Sequence, residues 1–123
     1  MATILVIEDD PNSLLLVTTI LEHAGHTVLS AERAAEGLKL ARERHPDLIL
    51  MDIQLPGMDG LAATRLLKAD PVTAGIPVYA LTAYAMKGDE QRVLDAGFDG
   101  YLAKPMNFRE LLDAVTQALQ AKA

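Results

Sequence analysis

Short apolar runs rich in β-branched residues alternate along the chain with stretches in which apolar residues recur every three or four positions. Five such runs lie at residues 4–7, 27–29, 48–51, 78–81 and 101–103. Apolar residues are nearly continuous in the first, third and fourth runs, which is typical of strands buried on both faces of a parallel sheet. We therefore predict five strands, with the second and fifth at the edges of the sheet.

Helical periodicity follows every predicted strand, although the fourth helix has the weakest pattern. The apolar positions are Leu14, Val17, Leu21 and Ala24, then Ala34, Leu38 and Ala41, then residues 61–67, residues 93–96, and finally Leu111, Val115 and Leu119. Gly25 and Gly97 fall at predicted helix ends. Asn107 with Glu110 is typical of a capping box before the last helix.

Alternating strands and helices form α/β domains, in which right-handed crossovers place helices on both faces of a parallel sheet. With five strands, the sequence predicts a (βα)5 doubly wound sheet in the flavodoxin-like order 2-1-3-4-5, a three-layer sandwich. A chain of 123 residues has the length of one domain, which we place at residues 1–123.

Composition excludes several classes of protein. Half of the residues are apolar and 23% are charged, which suits a globular chain with a buried core. The net charge of −6 argues against direct binding to nucleic acid. Cysteine is absent, which excludes disulfides, thiolate catalysis and cysteine-ligated metals. The sequence has neither a signal peptide nor an apolar run of about 20 residues, so we expect a cytoplasmic protein without membrane contact.

Polar side chains stand at the ends of four of the five predicted strands. Glu8 and Asp9 follow the first strand, Asp52 the third, Thr82 the fourth and Lys104 the fifth. In open parallel sheets the carboxyl ends of the strands meet at one edge, and ligands bind where the strand order reverses, here between strands one and three. We therefore place the candidate site at this edge.

Each of these residues also has an ordinary structural interpretation. The acidic run Glu8-Asp9-Asp10 could cap the following helix, and Asp52 could begin a turn. Thr82 could be a strand-end residue and Lys104 a solvated surface residue. The occurrence of all these polar residues at one edge of the sheet favours a shared site over the separate structural roles.

Convergence of three or more carboxylates favours a metal site, because like charges repel unless a cation lies among them. Only oxygen ligands are available at this edge, and His23, His26 and His45 lack the spacing of metal ligands. The donor chemistry therefore indicates Mg²⁺ and not zinc. A carboxylate beside Mg²⁺ can accept a phosphoryl group, which makes Asp52 a candidate nucleophile.

Phosphoryl transfer also needs hydrogen-bond donors for the remaining phosphoryl oxygens, and Lys104 and the Thr82 hydroxyl are suitable donors. The candidate residues stand in four motifs, at residues 4–10, 48–60, 80–83 and 97–105. In these motifs the chain resembles the receiver domain of bacterial two-component response regulators, over essentially its full length. It is most similar to single-domain, cell-cycle-type regulators and to the receivers of hybrid kinases.

The resemblance implies a role for each residue of the metal site. Asp52 would be the phosphoacceptor, Asp9 a direct Mg²⁺ ligand, and Glu8 a partner acting largely through water. The backbone carbonyl of Gln54 would be the third protein ligand. The commonest family pattern has Asp where this chain has Glu8, but many family members share the Glu, and we expect the longer side chain to reach metal-bound water without loss of function.

The resemblance also implies a switch. Lys104 would pair with the phosphoacceptor or its phosphate, and Thr82 would turn its hydroxyl onto the phosphoryl group. Tyr101 would change position with Thr82, unless it is only a half-buried strand residue. The Lys104–Pro105 bond would be cis, which would aim Lys104 into the site.

Two residues would tune the lifetime of the phosphoryl group, and a glycine would shape the start of the third helix. Gln54 and Tyr84 would flank the path of the hydrolytic water, and because Tyr84 offers no carboxylate to orient that water, we expect a long-lived phosphoryl group. Gly60 would begin the third helix where a side chain is poorly tolerated, or else be an ordinary turn glycine.

The resemblance further implies partners. A histidine kinase or histidine phosphotransfer protein would donate the phosphoryl group and contact Pro11, Asn12 and Leu15, although Leu15 could equally be a core residue. The face of the fourth helix, fifth strand and fifth helix would then regulate a downstream protein, with residues 86–88 as a mobile segment. We expect a monomer that phosphorylation could dimerise, and a free-standing regulator because the chain ends soon after its last helix.

Other functions remain as alternatives. We expect no enzymatic activity beyond the chain's own phosphorylation and dephosphorylation. A pseudo-receiver that only binds partners normally lacks a site residue, whereas all are kept here. A small Mg²⁺-dependent phosphohydrolase usually has a second acid two residues after the nucleophile, where this chain has Gln54. A flavodoxin-like electron carrier would bind an anionic cofactor, which the acidic run after the first strand would repel.

Overall fold

The five predicted strands form one parallel sheet in the computed structural model, which describes residues 2–53, 55, 57–58, 60–82, 93–103 and 107–122. The strands are β1 (Thr3–Ile7), β2 (Thr27–Ala31), β3 (Leu48–Asp52), β4 (Val78–Thr82) and β5 (Gly100–Ala103). Their order is β2-β1-β3-β4-β5 and every neighbouring pair is parallel. The predicted fold and strand order are confirmed, and the edge strands β2 and β5 extend slightly beyond their apolar runs.

Helices connect the strands across both faces of the sheet. They are α1 (Pro11–His23), α2 (Ala34–Arg44), α3 (Gly60–Ala69) and α5 (Phe108–Lys122), and the helical residues 93–95 are labelled α4. Within the described part of the chain, no helix has the length and apolar character needed to cross a membrane.

Two hydrophobic cores lie on opposite faces of the sheet, because successive strand residues point to opposite sides. In β1, Ile4 and Val6 contact the core covered by α1 and α5, whereas Leu5 and Ile7 contact the core covered by α2 and α3. All four side chains are fully buried. Burial on both faces explains why the central strands are apolar at every position instead of every second one.

The helix ends follow local sequence signals. Asp10 caps α1 and is followed by Pro11, whose missing N–H is not needed in the first helical turn. At α5, the Glu110 N–H donates to Asn107 Oδ1 over 2.8 Å and Asn107 Nδ2 donates to Glu110 Oε1 over 3.2 Å. The first bond is the predicted N-cap bond, whereas the second joins the two side chains and does not use the Asn107 backbone N–H of a full capping box.

Asp99 joins β4, β5 and α3 at the amino-terminal edge of the sheet. Its Oδ2 accepts hydrogen bonds from the Val78 N–H at 2.8 Å and from Lys68 Nζ at 2.9 Å. The Asp99 N–H in turn donates to the Val78 carbonyl over 2.8 Å. Lys68 Nζ also donates to the Ile76 carbonyl over 3.0 Å. These bonds hold the start of β5 level with the start of β4.

Candidate functional site

The candidate site lies at the carboxyl ends of β1 and β3, the adjacent strands at which the strand order reverses. Ile7 pairs with Met51 in the parallel register, so the following residues, Glu8 and Asp52, lie at the same level of the sheet. The Glu8 N–H donates to the Ala31 carbonyl over 2.9 Å and thereby ties the residue after β1 to the end of β2. The sheet itself therefore places two of the candidate carboxylates side by side.

Three carboxylates come together here. Glu8, Asp9 and Asp52 each offer one carboxylate oxygen, and these oxygens all lie within 4.8 Å of one another. Glu8 is fully buried and Asp52 is 7% exposed, whereas Asp9 is exposed to solvent. The structure therefore brings together the three carboxylates that the sequence nominated.

The cluster fits a magnesium ion by the chemistry of its donors. All three groups are hard oxygen donors, and a divalent cation among them would offset the repulsion between carboxylates removed from water. The exposed side at Asp9 leaves room for water and for a phosphoryl oxygen in the remaining coordination positions, which Mg²⁺ commonly retains.

Asp10 has a different role from its two acidic neighbours. Its Oδ1 accepts a hydrogen bond from the Asn12 N–H at 3.3 Å, and its Oδ2 accepts one from Ser13 Oγ at 2.9 Å. The capping interpretation of the acidic run is therefore right for Asp10, whereas Glu8 and Asp9 join the carboxylate cluster.

Gly60 lies against the backbone of the candidate phosphoacceptor. A Cβ at position 60 would overlap the Asp52 carbonyl oxygen and lie only 2.7 Å from Ile53 Cα. The Gly60 N–H donates to the Ile53 carbonyl over 3.1 Å. The positive-φ glycines of the described residues are Gly25, Gly57 and Gly97, so Gly60 is required for close approach and not for a left-handed turn.

Tyr101 lies on β5 opposite Ala80 of β4. Its side chain is partly buried and packs against the core covered by α2 and α3. This placement fits both interpretations of Tyr101, as a strand residue and as the moving part of a switch, and the switch role stays a prediction.

Several predicted site residues lie outside the described residues. They are Gln54, Tyr84, Lys104 and Pro105, together with residues 86–88 and the side chain of Thr82. The backbone of Thr82 ends β4 and pairs with Ala103, which directly precedes Lys104 in the chain. The roles of these residues and the cis bond stay predictions.

An apolar surface beside the site was only partly found from sequence. Leu15 is 67% exposed, so it is a surface residue and not a core residue. Leu16 on α1 and Phe108 at the start of α5 are also exposed and were not nominated. No sequence signal marks Phe108 as exposed, because it stands three residues before Leu111 and seven before Val115, at the helical spacing of the stripe that faces the core. We call Leu15, Leu16 and Phe108 the α1–α5 patch.

Comparison with known proteins agrees with this architecture. Residues 4–116 match the family model described as the response regulator receiver domain. The polar-differentiation response regulator DivK of Brucella ovis is 40% identical over 117 residues, which cover 95% of each chain.

Solved structures with the same fold include two receiver proteins. A putative response regulator from Chloroflexus aurantiacus superposes with a TM-score of 0.93 at 30% identity, covering 97% of this chain and 98% of that one. The receiver domain of a sensor histidine kinase from Pseudomonas aeruginosa has a TM-score of 0.91 at 34% identity, with coverage of 97% and 98%. That structure holds a magnesium ion coordinated in the active site cleft. With its parallel sheet, its acidic cluster and this family match, the chain belongs to the response regulator receiver domain family of two-component signalling.

Proposed function

We propose that this chain is a phosphoacceptor in a two-component phosphorelay, with Asp52 as the acceptor. The observation that carries the proposal is the cluster of Glu8, Asp9 and Asp52, in which the acceptor carboxylate ends a central strand and is nearly buried. The proposal treats residues 1–123 as one receiver domain, supported by the single sheet and by the family match over residues 4–116.

The metal site in this proposal has Asp9, Asp52 and the backbone carbonyl of Gln54 as protein ligands, with Glu8 acting largely through metal-bound water. Magnesium in the active site cleft of the Pseudomonas aeruginosa receiver supports the assignment. When bound, the ion would neutralise negative charge that develops on the transferring phosphoryl group.

The chain's own residues carry out the transfer. An Asp52 carboxylate oxygen attacks phosphorus in line with the P–N bond of a phosphohistidine. As the O–P bond forms, the P–N bond breaks and its electron pair stays on the imidazole nitrogen. Lys104 and the Thr82 hydroxyl donate to the other phosphoryl oxygens. Contact between Gly60 and the Asp52 backbone keeps the acceptor in position.

The α1–α5 patch is the proposed contact for the phosphodonor, a histidine kinase or a histidine phosphotransfer protein. Leu15, Leu16 and Phe108 are each at least half exposed. Pro11 and Asn12, at the start of α1, are exposed, and in the chain they stand between the acidic residues Glu8 and Asp9 and the patch residues Leu15 and Leu16. Exposed apolar residues beside a reactive group are suited to a transient protein partner.

The output in this proposal is a change on the face of α4, β5 and α5. An aspartyl phosphate adds charge and acceptor oxygens at one edge of the sheet, and Thr82 and Tyr101 would transmit the change to a downstream protein. We propose a monomer before phosphorylation and no catalysis of other substrates.

A phosphoramidate assay tests the proposal, because this small molecule carries the same P–N bond as a phosphohistidine. We expect intact mass to rise by about 80 Da, one phosphoryl group, only when Mg²⁺ is present. Asp52→Asn should abolish the gain, whereas Asp10→Asn, which removes a carboxylate that caps α1, should keep it. Phosphorylation of Asp52→Asn to the same extent would rule out the assignment.

A further inference from the structure

A groove separates α2 from α3 on the face of the sheet opposite the α1–α5 patch. It has a volume of about 310 Å³ and is lined by Leu38 and Arg42 of α2 and by Leu66, Leu67 and Asp70 of α3 and its end. Leu66, one of the residues that line the groove, has an apolar side chain that is 50% exposed to solvent. Neither the acidic cluster nor the proposed switch uses these residues.

The two helices that form this groove are basic, although the protein is acidic as a whole. The helices α2 and α3 together carry five basic and two acidic residues, a net charge of +3, whereas the whole chain carries −6, so the remainder carries −9. The basic residues are Lys39, Arg42, Arg44, Arg65 and Lys68. Asp70, which directly follows α3 and lines the groove, lowers this net charge to +2, so this part of the molecule is basic while the remainder is acidic.

Three of these cations lie beside the groove. Arg42 lines it, and Arg42 Nε contacts Asp70 Oδ2 over 2.8 Å while its side chain stays 62% exposed. On α2, Lys39 is three residues before Arg42, which lines the groove. On α3, Arg65 is four residues before Ala69, which also lines it. Helical spacing therefore places Lys39 and Arg65 at the border of the groove. The border of the groove is therefore cationic except at Asp70, whose carboxylate is paired with Arg42, and an apolar floor with this border favours a ligand that has apolar residues flanked by acidic ones.

We propose that the α2–α3 groove binds an acidic amphipathic helix of a partner protein. Leucine-type side chains of that helix contact Leu38 and Leu66, and its carboxylates pair with Lys39, Arg42 and Arg65. A second copy of this chain is the poorer occupant, because two basic faces would repel each other. Nucleic acid is also disfavoured, since the groove is apolar and the whole chain is negative.

Binding at this groove is independent of the phosphoryl group. Gly60 contacts the backbone of the acceptor, and Leu66 and Asp70 lie six and ten residues beyond it. At 1.5 Å per helical residue, the groove is therefore about 9–15 Å from Gly60 along the axis of α3. The groove therefore gives a constitutive attachment to a partner, separate from the face that phosphorylation would change.

A synthetic helical peptide of about 20 residues provides the probe, with Leu at i, i+3 and i+7 spacing and Glu on the opposite face. Amide shifts followed during titration should change in α2 and α3. Leu66→Ser should weaken binding about tenfold or more, while Leu16→Ser, at an α1 position that is also 50% exposed, should not. Arg42→Glu should weaken binding more than Arg44→Glu, which reverses the same charge on α2 outside the groove lining.

The outcomes separate this proposal from the phosphoacceptor assignment. Equal binding to Asp52→Asn supports a site that is independent of phosphorylation, even if phosphorylation itself fails. Shifts confined to the α1–α5 patch, equal losses from Leu66→Ser and Leu16→Ser, equal binding of a peptide with Lys in place of Glu, or no saturable shift would each overturn it.

Discussion

Gly60 determines how closely α3 approaches the backbone of Asp52. Because a Cβ there would overlap the Asp52 carbonyl oxygen, Gly60→Ala should displace the acceptor. We expect a loss of about 1–3 kcal/mol in the free energy of unfolding, measured with urea. Phosphorylation by phosphoramidate should slow by about tenfold or more, because in-line transfer is sensitive to small displacements.

Gly75→Ala is the matched control for this substitution. A Cβ at position 75 meets no atom within 4 Å, so this variant should keep both stability and phosphorylation rate. Equal rates for Gly60→Ala and the wild-type chain would contradict the positioning role of Gly60.

The substitution Glu8→Gln should raise the melting temperature of the metal-free protein but lower its affinity for Mg²⁺. Glu8→Gln removes one of three neighbouring carboxylates, so the metal-free protein should melt at a higher temperature. Mg²⁺ affinity should fall by about 10–100-fold, as expected when a group that orients metal-bound water is lost. Melting curves recorded across a Mg²⁺ titration measure both effects. A loss of affinity as large for Asp10→Asn, at the α1 cap, would be inconsistent with the assigned cluster.

Tyr84 tests the predicted lifetime of the phosphoryl group. Tyr84→Glu supplies a carboxylate that can orient the hydrolytic water, so the phosphorylated form should decay faster. Loss of the phosphorylated mass with time measures this decay, and Tyr84→Phe, which adds no carboxylate, is the control. An unchanged half-life in Tyr84→Glu would reject this role.

The sequence predicted which carboxylates lie together at the edge of the sheet. It did not predict that Asp9 belongs to this cluster while its neighbour Asp10 caps α1. Asp9 and Asp10 are chemically equivalent in sequence, and only the start of α1 at Pro11 assigns Asp10 to the cap. The pattern also left Gly60 and Leu15 each with two interpretations. Both depend on tertiary contacts, since close approach and exposure are properties of the neighbouring elements.

At the scale of the elements, Asp99 holds the pairing of β4 with β5. Asp99→Ala removes the acceptor for both the Val78 N–H and Lys68 Nζ, so we expect a loss of about 1–3 kcal/mol in the free energy of unfolding. Urea unfolding measures this loss. Asp113→Ala, at an exposed position on α5, should change stability by less than about 0.5 kcal/mol. Similar stability of the two variants would contradict the role of Asp99.

The strands were predictable because the local pattern and the tertiary environment agree. Residues 4–7 and 48–51 are apolar at every position, and both faces of the sheet bury them. Residues 30 and 31 of β2 were missed because that edge strand includes Ser30, which is exposed and adds nothing to an apolar run. The Lys68–Asp99 pair was also missed, since 31 residues separate its members and no local pattern connects them.

At the scale of the whole molecule, the two proposals place phosphorylation and partner attachment on separate faces. Amide shifts between the phosphorylated and unphosphorylated protein should change along α4, β5 and α5, including Tyr101. They should stay constant at Leu38 and Arg42 of the α2–α3 groove. Unchanged shifts along β5 would refute the proposed output face without affecting the acceptor assignment.

Chemical identification of the acceptor tests the central claim most directly. Borohydride reduces an aspartyl phosphate to homoserine, so peptide mapping after phosphorylation and reduction marks the acceptor position. The account predicts homoserine at position 52, formed only when the phosphoryl donor and Mg²⁺ are both present. Homoserine at another aspartate, or its formation at position 52 without Mg²⁺, would contradict it.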